Sequence, residues 1–272
     1  MFPVFIKVGP IAITSFGISL ALAFLFILFL SYRSIKDRVD ITVEELFDRI
    51  LFISFGVLIG SRVVYILLHQ DLFSGDPLAY ILFRERPGLS VIGGVLGGLV
   101  FFVLGNLRSR RIPWVKIIDS LTYTAIIALI CGQLGSFLDG FSFGRATKLP
   151  WGVAILGSTV KRHPLPVYYV LFLVVSFIMF KKLQPRLKEA HWAEGTTFLL
   201  FASWYMLFSS VFDMFRQEVT TVQSLPVDRV FSLVIVWLCL IGVYKRSRSL
   251  KNDIKTSLAF MKRTGQNILH RL

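Results

Sequence analysis

Between Gly132 and Tyr169 the chain sets glycine-rich, basic sequence between two long apolar runs, GQLGSFLDGFSFGRATKLPWGVAILGSTVKRHPLPVYY. Arg145, Lys148, Lys161, Arg162 and His163 all fall in it, and charges at an apolar boundary need a partner, water or a ligand. Arg62 lies deeper, inside an apolar run, where it either pairs with carbonyls or a neighbouring acid or receives an anionic lipid head. Gly93, Gly94, Gly97 and Gly98 form two overlapping GxxxG patterns. Such a face either packs closely on another helix or lets a lipid phosphate or glycerol approach the backbone. Trp151, Tyr168 and Tyr169 suit interfacial anchoring. Asp119, at the start of an apolar run, is a structural carboxylate favoured by a helix amino end. Cys131 and Cys239 stand alone in apolar sequence and have neither metal nor disulfide spacing, so they read as small apolar side chains.

The elements that carry these residues follow from composition. Of 272 residues, 55% are apolar and 14% aromatic, and the mean hydropathy is +0.70, which marks an all-α, polytopic membrane protein. Seven windows are long enough to cross about 30 Å of hydrocarbon as helices, near 10–32, 50–68, 88–105, 117–138, 165–181, 195–213 and 227–245. The connections 33–49, 106–116 and 181–194, with the chain from Lys245 onward, hold 20 of the 30 Lys and Arg residues. The other side holds nine: Lys7, Arg84, Arg86, Arg145, Lys148, Lys161, Arg162, Arg216 and Arg229. The positive-inside rule therefore puts the amino terminus outside and the carboxyl terminus in the cytoplasm. The same distribution explains the net charge of +14 without nucleic acid, for which no binding motif is present.

The first run follows a single Lys7 and lacks a small-x-small cleavage site, so it reads as a retained span. Thr42 and Glu45 form a capping box that should begin a short helix leading into the second span. Residues 1–245 form the transmembrane domain, and 246–272 a cytoplasmic tail. In the tail Leu250, Ile254, Leu258, Met261, Ile268 and Leu272 recur at helical steps among lysines and arginines. That pattern suits the anionic inner leaflet, or a plain solvated helix.

Taken in order, these segments resemble the bacterial prolipoprotein diacylglyceryl transferases. The stretch from Gly132 to Arg145 lies without a gap on that family's GRxGNFxNGExxGR signature, followed by Pro150-Trp151 where the family often has PW. Arg162-His163-Pro164 with Tyr168 is similar to its RHPxQxY segment, and Gly88 to Gly94 to its GxSFHGG. Gly60-Ser61-Arg62 with Tyr65 is similar to GGRxxY, and Phe215-Arg216-Gln217 to FFRxP. The resemblance covers nearly the whole chain and implies seven spans with an external amino terminus. It further implies transfer of the diacylglyceryl group of phosphatidylglycerol to the thiol of a lipobox cysteine in a preprolipoprotein, with no metal or dissociable cofactor.

Several polar positions of that pattern are changed. Ile92 stands for histidine, Gln133 for arginine, Ser136 for asparagine and Phe141 for glutamate. In the sixth span Tyr205 matches, Ser209 stands for arginine and Asp213 for glutamate, and near the amino terminus Phe16 stands for tyrosine. On this reading Arg62, Arg145 and Arg216 bind the lipid head in one cavity walled by Gly93 and Gly94. Arg162 and His163 help at the outer rim, Asp213 orients an arginine, and His163, taken as the one external histidine, activates the thiol. Two alternatives remain: a family member that binds lipid or precursor without transfer, and an unrelated transporter or scaffold. A transporter would need more paired charges within the spans than this chain carries.

Overall fold

The computed structural model describes residues 4–8, 11–37, 39–73, 88–108, 113–140, 142–154, 159–216, 221–222 and 225–246. Arg84, Arg86, Phe141, Gln217 and the amphipathic tail beyond Arg246 lie outside the described residues. Among the described residues, six helices are long and apolar enough to cross a bilayer. They are α1 (Ser15–Ile35), α2 (Val43–Leu68), α5 (Trp114–Asp139), α6 (Leu165–Glu189), α7 (Thr196–Phe212) and α8 (Val227–Arg246). The one-turn α3 (Gln70–Phe73) follows α2, and the expected third span is α4 (Val91–Arg108), an apolar helix that falls outside those six. Large side chains remain exposed along these helices, Val175 at 62% and Trp237 at 65%. Helices that bury so little of their apolar surface against one another need hydrocarbon around them. The protein is a multi-pass membrane protein.

The all-α expectation is corrected to a mostly helical chain with, among the described residues, three small antiparallel hairpins: β1 (Val4–Val8) with β2 (Ile11–Thr14), β3 (Val153–Ala154) with β4 (Lys161–Arg162), and β5 (Thr221–Val222) with β6 (Leu225–Pro226). The first hairpin takes residues assigned to a span from position 10. Its second strand ends at Thr14, whose hydroxyl accepts the amide of Gly17 at 3.0 Å and so starts α1 only at Ser15. Thr42 caps α2 as its box predicts, accepting from the Glu45 amide at 3.2 Å. The helix it starts is not a separate short one; it runs unbroken through the second span to Leu68.

Close packing of α2 on α4 rests on glycine. A Cβ added to Gly93 would collide with the carbonyl oxygen of Gly60, and one on Gly97 with that of Gly56. Small residues one turn apart on both helices let the backbones touch, which in hydrocarbon stands in for the hydrophobic effect. On the other side of the bundle α1 packs on α5 and α7 on α8. Ile126, Phe172, Leu173, Phe180 and Phe201 form an apolar core among α5, α6 and α7. Asp119 joins α5 to α7: its carboxylate accepts the amides of Gly195 at 2.8 Å and Phe198 at 3.0 Å. Gly195 has no side chain to cap α7 itself and sits at φ 87°, so Asp119 supplies the cap from a neighbouring helix.

Candidate functional site

Where α5 and α7 end and α4, α6 and α8 begin, beside the start of the connection from α5 to α6, a cavity of about 210 Å³ opens. From α4 it takes Val91 and Ile92, from α5 Gln133 and Ser136, and from α6 Leu165, Pro166 and Tyr169. Tyr205, Met206 and Ser209 come from α7, and Asp228, Phe231 and Ser232 from α8. Asp213 and Arg216, in the one-turn 3-10 helix after α7 and just past it, and Ser142 complete the wall. Four of the positions at which the chain departs from its resembling family, Ile92, Gln133, Ser136 and Ser209, thus share one wall with Asp213 and Arg216.

The loop from Ser142 to Thr147 holds Arg216 in place. Gly140, at φ 82°, ends α5 in a left-handed turn that only glycine adopts freely. Ser142 also has a positive φ, 60°, and beyond it residues 144–147 run between two other segments. Gly144 donates to the carbonyl of His163 at 2.8 Å, and Thr147 to that of Lys161 at 2.8 Å. On the opposite edge Gly144 bridges to Arg216 in antiparallel register, and the Arg145 amide donates to the Phe215 carbonyl at 2.7 Å. A Cβ on Gly144 would lie 2.6 Å from that carbonyl oxygen, so the glycine of the Gly144-Arg145 pair is required by close backbone approach.

Arg216 points into the cavity with a side chain that is 36% exposed. Its Nη1 lies 3.4 Å from Asp213 and 3.8 Å from Asp228. Asp213 is 4% exposed, a depth at which a carboxylate needs the charge beside it. Next to them Tyr169 and Ser209 share a hydrogen bond at 3.1 Å between hydroxyls. The wall therefore offers a guanidinium, two phenols and several hydroxyls to a ligand, over an apolar floor of Ile92, Leu165 and Phe231.

The expected meeting of three arginines in that cavity does not occur. Arg62 is 6% exposed and buried elsewhere: Nη1 donates to the Gly88 carbonyl at 3.3 Å, and the guanidinium lies 5.2 Å from the centre of the Phe73 ring. Carbonyl and ring take up its charge where α2 meets the segment before α4, which is the structural one of its two readings. Arg145 is exposed and donates Nε to the backbone carbonyl of Arg216 at 3.1 Å, so it acts on Arg216 from behind. Arg162 pairs through its backbone with Val153 and Ala146, outside the cavity wall, and its Nε is buried without a hydrogen-bond partner. Gly93 faces Gly60, whose backbone occupies the space a lipid would need, whereas Gly94 has room for a Cβ 3.5 Å from Val57.

His163 also lies behind the wall and not in it. Its Nδ1 is 3.1 Å from the Tyr168 hydroxyl, which accepts from Trp151 Nε1 at 2.9 Å, and its ring centroid is 5.2 Å from that of Phe215. A second histidine belongs to the same side by the charge rule: His69, one residue past α2, stacks on Tyr65 at 4.4 Å. The sequence reading passed over Tyr169, taken for an anchor, and over Asp228 and Ser232. A polar residue in the first turn of a span, one turn from the next, was the available sign.

The family model for prolipoprotein diacylglyceryl transferase matches residues 3–245. The chain belongs to that family. Among its relatives is a protein of Mannheimia succiniciproducens named phosphatidylglycerol--prolipoprotein diacylglyceryl transferase, 28% identical over 92% of this chain and 96% of its own length. Proteins of the same name from Geobacter sulfurreducens and Bordetella avium are 30% and 32% identical, over 79% and 61% of this chain and 82% and 64% of theirs. For a prolipoprotein diacylglyceryl transferase family member, the cavity is notable in where it differs: the wall keeps Arg216 and an acid, and replaces other polar family positions with Ile92, Gln133, Ser136 and Ser209.

Proposed function

We propose that this protein transfers the diacylglyceryl group of phosphatidylglycerol to the cysteine thiol of a prolipoprotein lipobox; its relatives' names support the lipid donor and the prolipoprotein acceptor. The observation that carries the proposal is the gathering of family-motif positions around one guanidinium, that of Arg216, in a cavity at the end of a membrane helix bundle. In this reaction sulfur bonds to the terminal glycerol carbon while the carbon–oxygen bond to phosphate breaks. Its electron pair leaves on glycerol phosphate, and the thiol proton passes to a base. Charge builds on the phosphate oxygens, and the Arg216 guanidinium meets it there. Asp213 orients that guanidinium. Tyr169, Tyr205 and Ser209 supply further donors. Arg145 fixes the backbone of Arg216, while Arg162 and His163 support the rim on which the peptide arrives.

The same account takes α4 as the seventh crossing, since 18 residues extend about 27 Å as a helix. It places the cavity on the external side of the bacterial cytoplasmic membrane and the basic chain from residue 246 on the cytoplasmic surface. Reconstitution with phosphatidylglycerol and a lipobox peptide tests it. Thioether-linked product from the natural protein, falling about 10²- to 10³-fold in Arg216→Ala, supports the proposal. Retention of phosphatidylglycerol without product would establish a binding protein instead.

A further inference from the structure

Two carboxylates from separate segments approach the same nitrogen of Arg216. Asp213 opens the turn after α7, and Asp228 lies in the first turn of α8. Their side chains are 5% and 18% exposed, so Asp213 is the buried anchor and Asp228 the partner nearer the open cavity. A guanidinium is a rigid plane of five donors. Holding one terminal nitrogen from two directions therefore sets the plane of the other donors. Both ion pairs run through Nη1, which leaves the Nε–Nη2 edge to meet two phosphate oxygens in a fork. Asp213 alone, three residues back on the same short turn, holds the nitrogen and leaves the plane free to swing about that contact. Asp228, reaching the same nitrogen from the first turn of α8, removes that freedom.

The geometry points to Asp228 as a positioning residue for Arg216 in the transfer reaction. The inference rests on the proposed transfer, because the phosphate of the lipid is what Arg216 meets. Asp228 acts only through Arg216 and makes no bond to substrate. A carboxylate lining an anion site without this role would only repel the phosphate. Neutralising it would then strengthen lipid retention, whereas loss of positioning weakens it. The two readings differ in sign.

The test uses full-length protein and compares Asp228→Asn, Asp228→Glu, Arg216→Lys and the double variant Arg216→Lys with Asp228→Asn. Two quantities are measured: the single-turnover rate of thioether formation, and phosphatidylglycerol retained through purification in detergent. Asp228→Asn should slow transfer by about 10- to 100-fold, the scale of a misaligned catalytic group, and lower retention, with Asp228→Glu recovering most of both. In the Arg216→Lys background, which has no fork left to align, the same change should alter the rate by less than about twofold. Asp228→Asn with a rate within about twofold of the natural protein, an equal loss in both backgrounds, or stronger lipid retention would each overturn the inference. Should the natural protein make no thioether, the transfer proposal fails, and retention across the four variants still decides the role of Asp228. If Asp228→Asn does not fold, Asp228→Ser, which keeps a residue suited to a helix start, is judged by the same criteria.

Discussion

At Arg216 a positive charge at an apolar boundary is given a task by its surroundings. Arg62 is deeper and equally charged, yet Gly88 and Phe73 occupy it, so Arg62→Ala should act on stability more than on turnover. Arg216→Ala should lower stability as well, because it leaves the buried Asp213 unpaired, but its mark is in the rate: transfer in folded protein falls by about 10²- to 10³-fold. His163 makes a second contrast. It touches Tyr168 and Phe215 and does not line the cavity, so His163→Ala should cost less than about tenfold in rate, far less than loss of Arg216. A side-by-side rate comparison of these three variants checks the assignment. The family pattern named Arg216 and Asp213 from sequence. It also named Arg62, because a motif records which residues matter without saying whether they meet a ligand or a neighbour. Asp228 carries no family motif; its place in the first turn of a span is visible in sequence, and its 3.8 Å approach to Arg216 gives that place a role.

Among the elements, the helices were legible because each is a long apolar run, while the hairpins were not. Val153–Ala154 and Lys161–Arg162 are two residues each, too short for any period to register, and they exist because Gly144 and Thr147 bring hydrogen-bonding backbone alongside. The GxxxG face was visible in sequence, but its partner, the Gly56 and Gly60 pair of α2, became evident only through packing. Gly93→Ala should force α2 and α4 apart and cost about 1 to 3 kcal/mol. Gly94→Ala, with ordinary contact room, should cost little. Thermal unfolding of both in detergent separates a packing face from a lipid-lined one, since a lipid-lined pair would respond alike. Asp119 was legible as structural, although the helix it caps is α7 and not its own. Asp119→Ala should lower stability by about 0.5 to 2 kcal/mol, the usual range for loss of a cap, without altering the relative rates of the cavity variants.

For the molecule as a whole, the helix ends that frame the cavity share one side of the bundle, which joins the arrangement of charge to the chemistry. In the orientation proposed above, the connections richest in Lys and Arg lie in the cytoplasm and Arg216 faces the outer leaflet. Single cysteines placed near Lys148 and near Lys182 should react with an impermeant thiol reagent from opposite sides of the membrane, the first from outside. Reaction of both from one side would remove the orientation. On the proposed function this cavity moves a diacylglyceryl group with Ile92, Gln133, Ser136 and Ser209 in its wall. Purified protein given phosphatidylglycerol labelled in both glycerol units, together with a lipobox peptide, measures it directly. The account predicts one labelled glycerol phosphate released for each thioether formed, and neither from a peptide with serine in place of the cysteine. Intact lipid and unmodified peptide, in a preparation that retains phosphatidylglycerol, would contradict it.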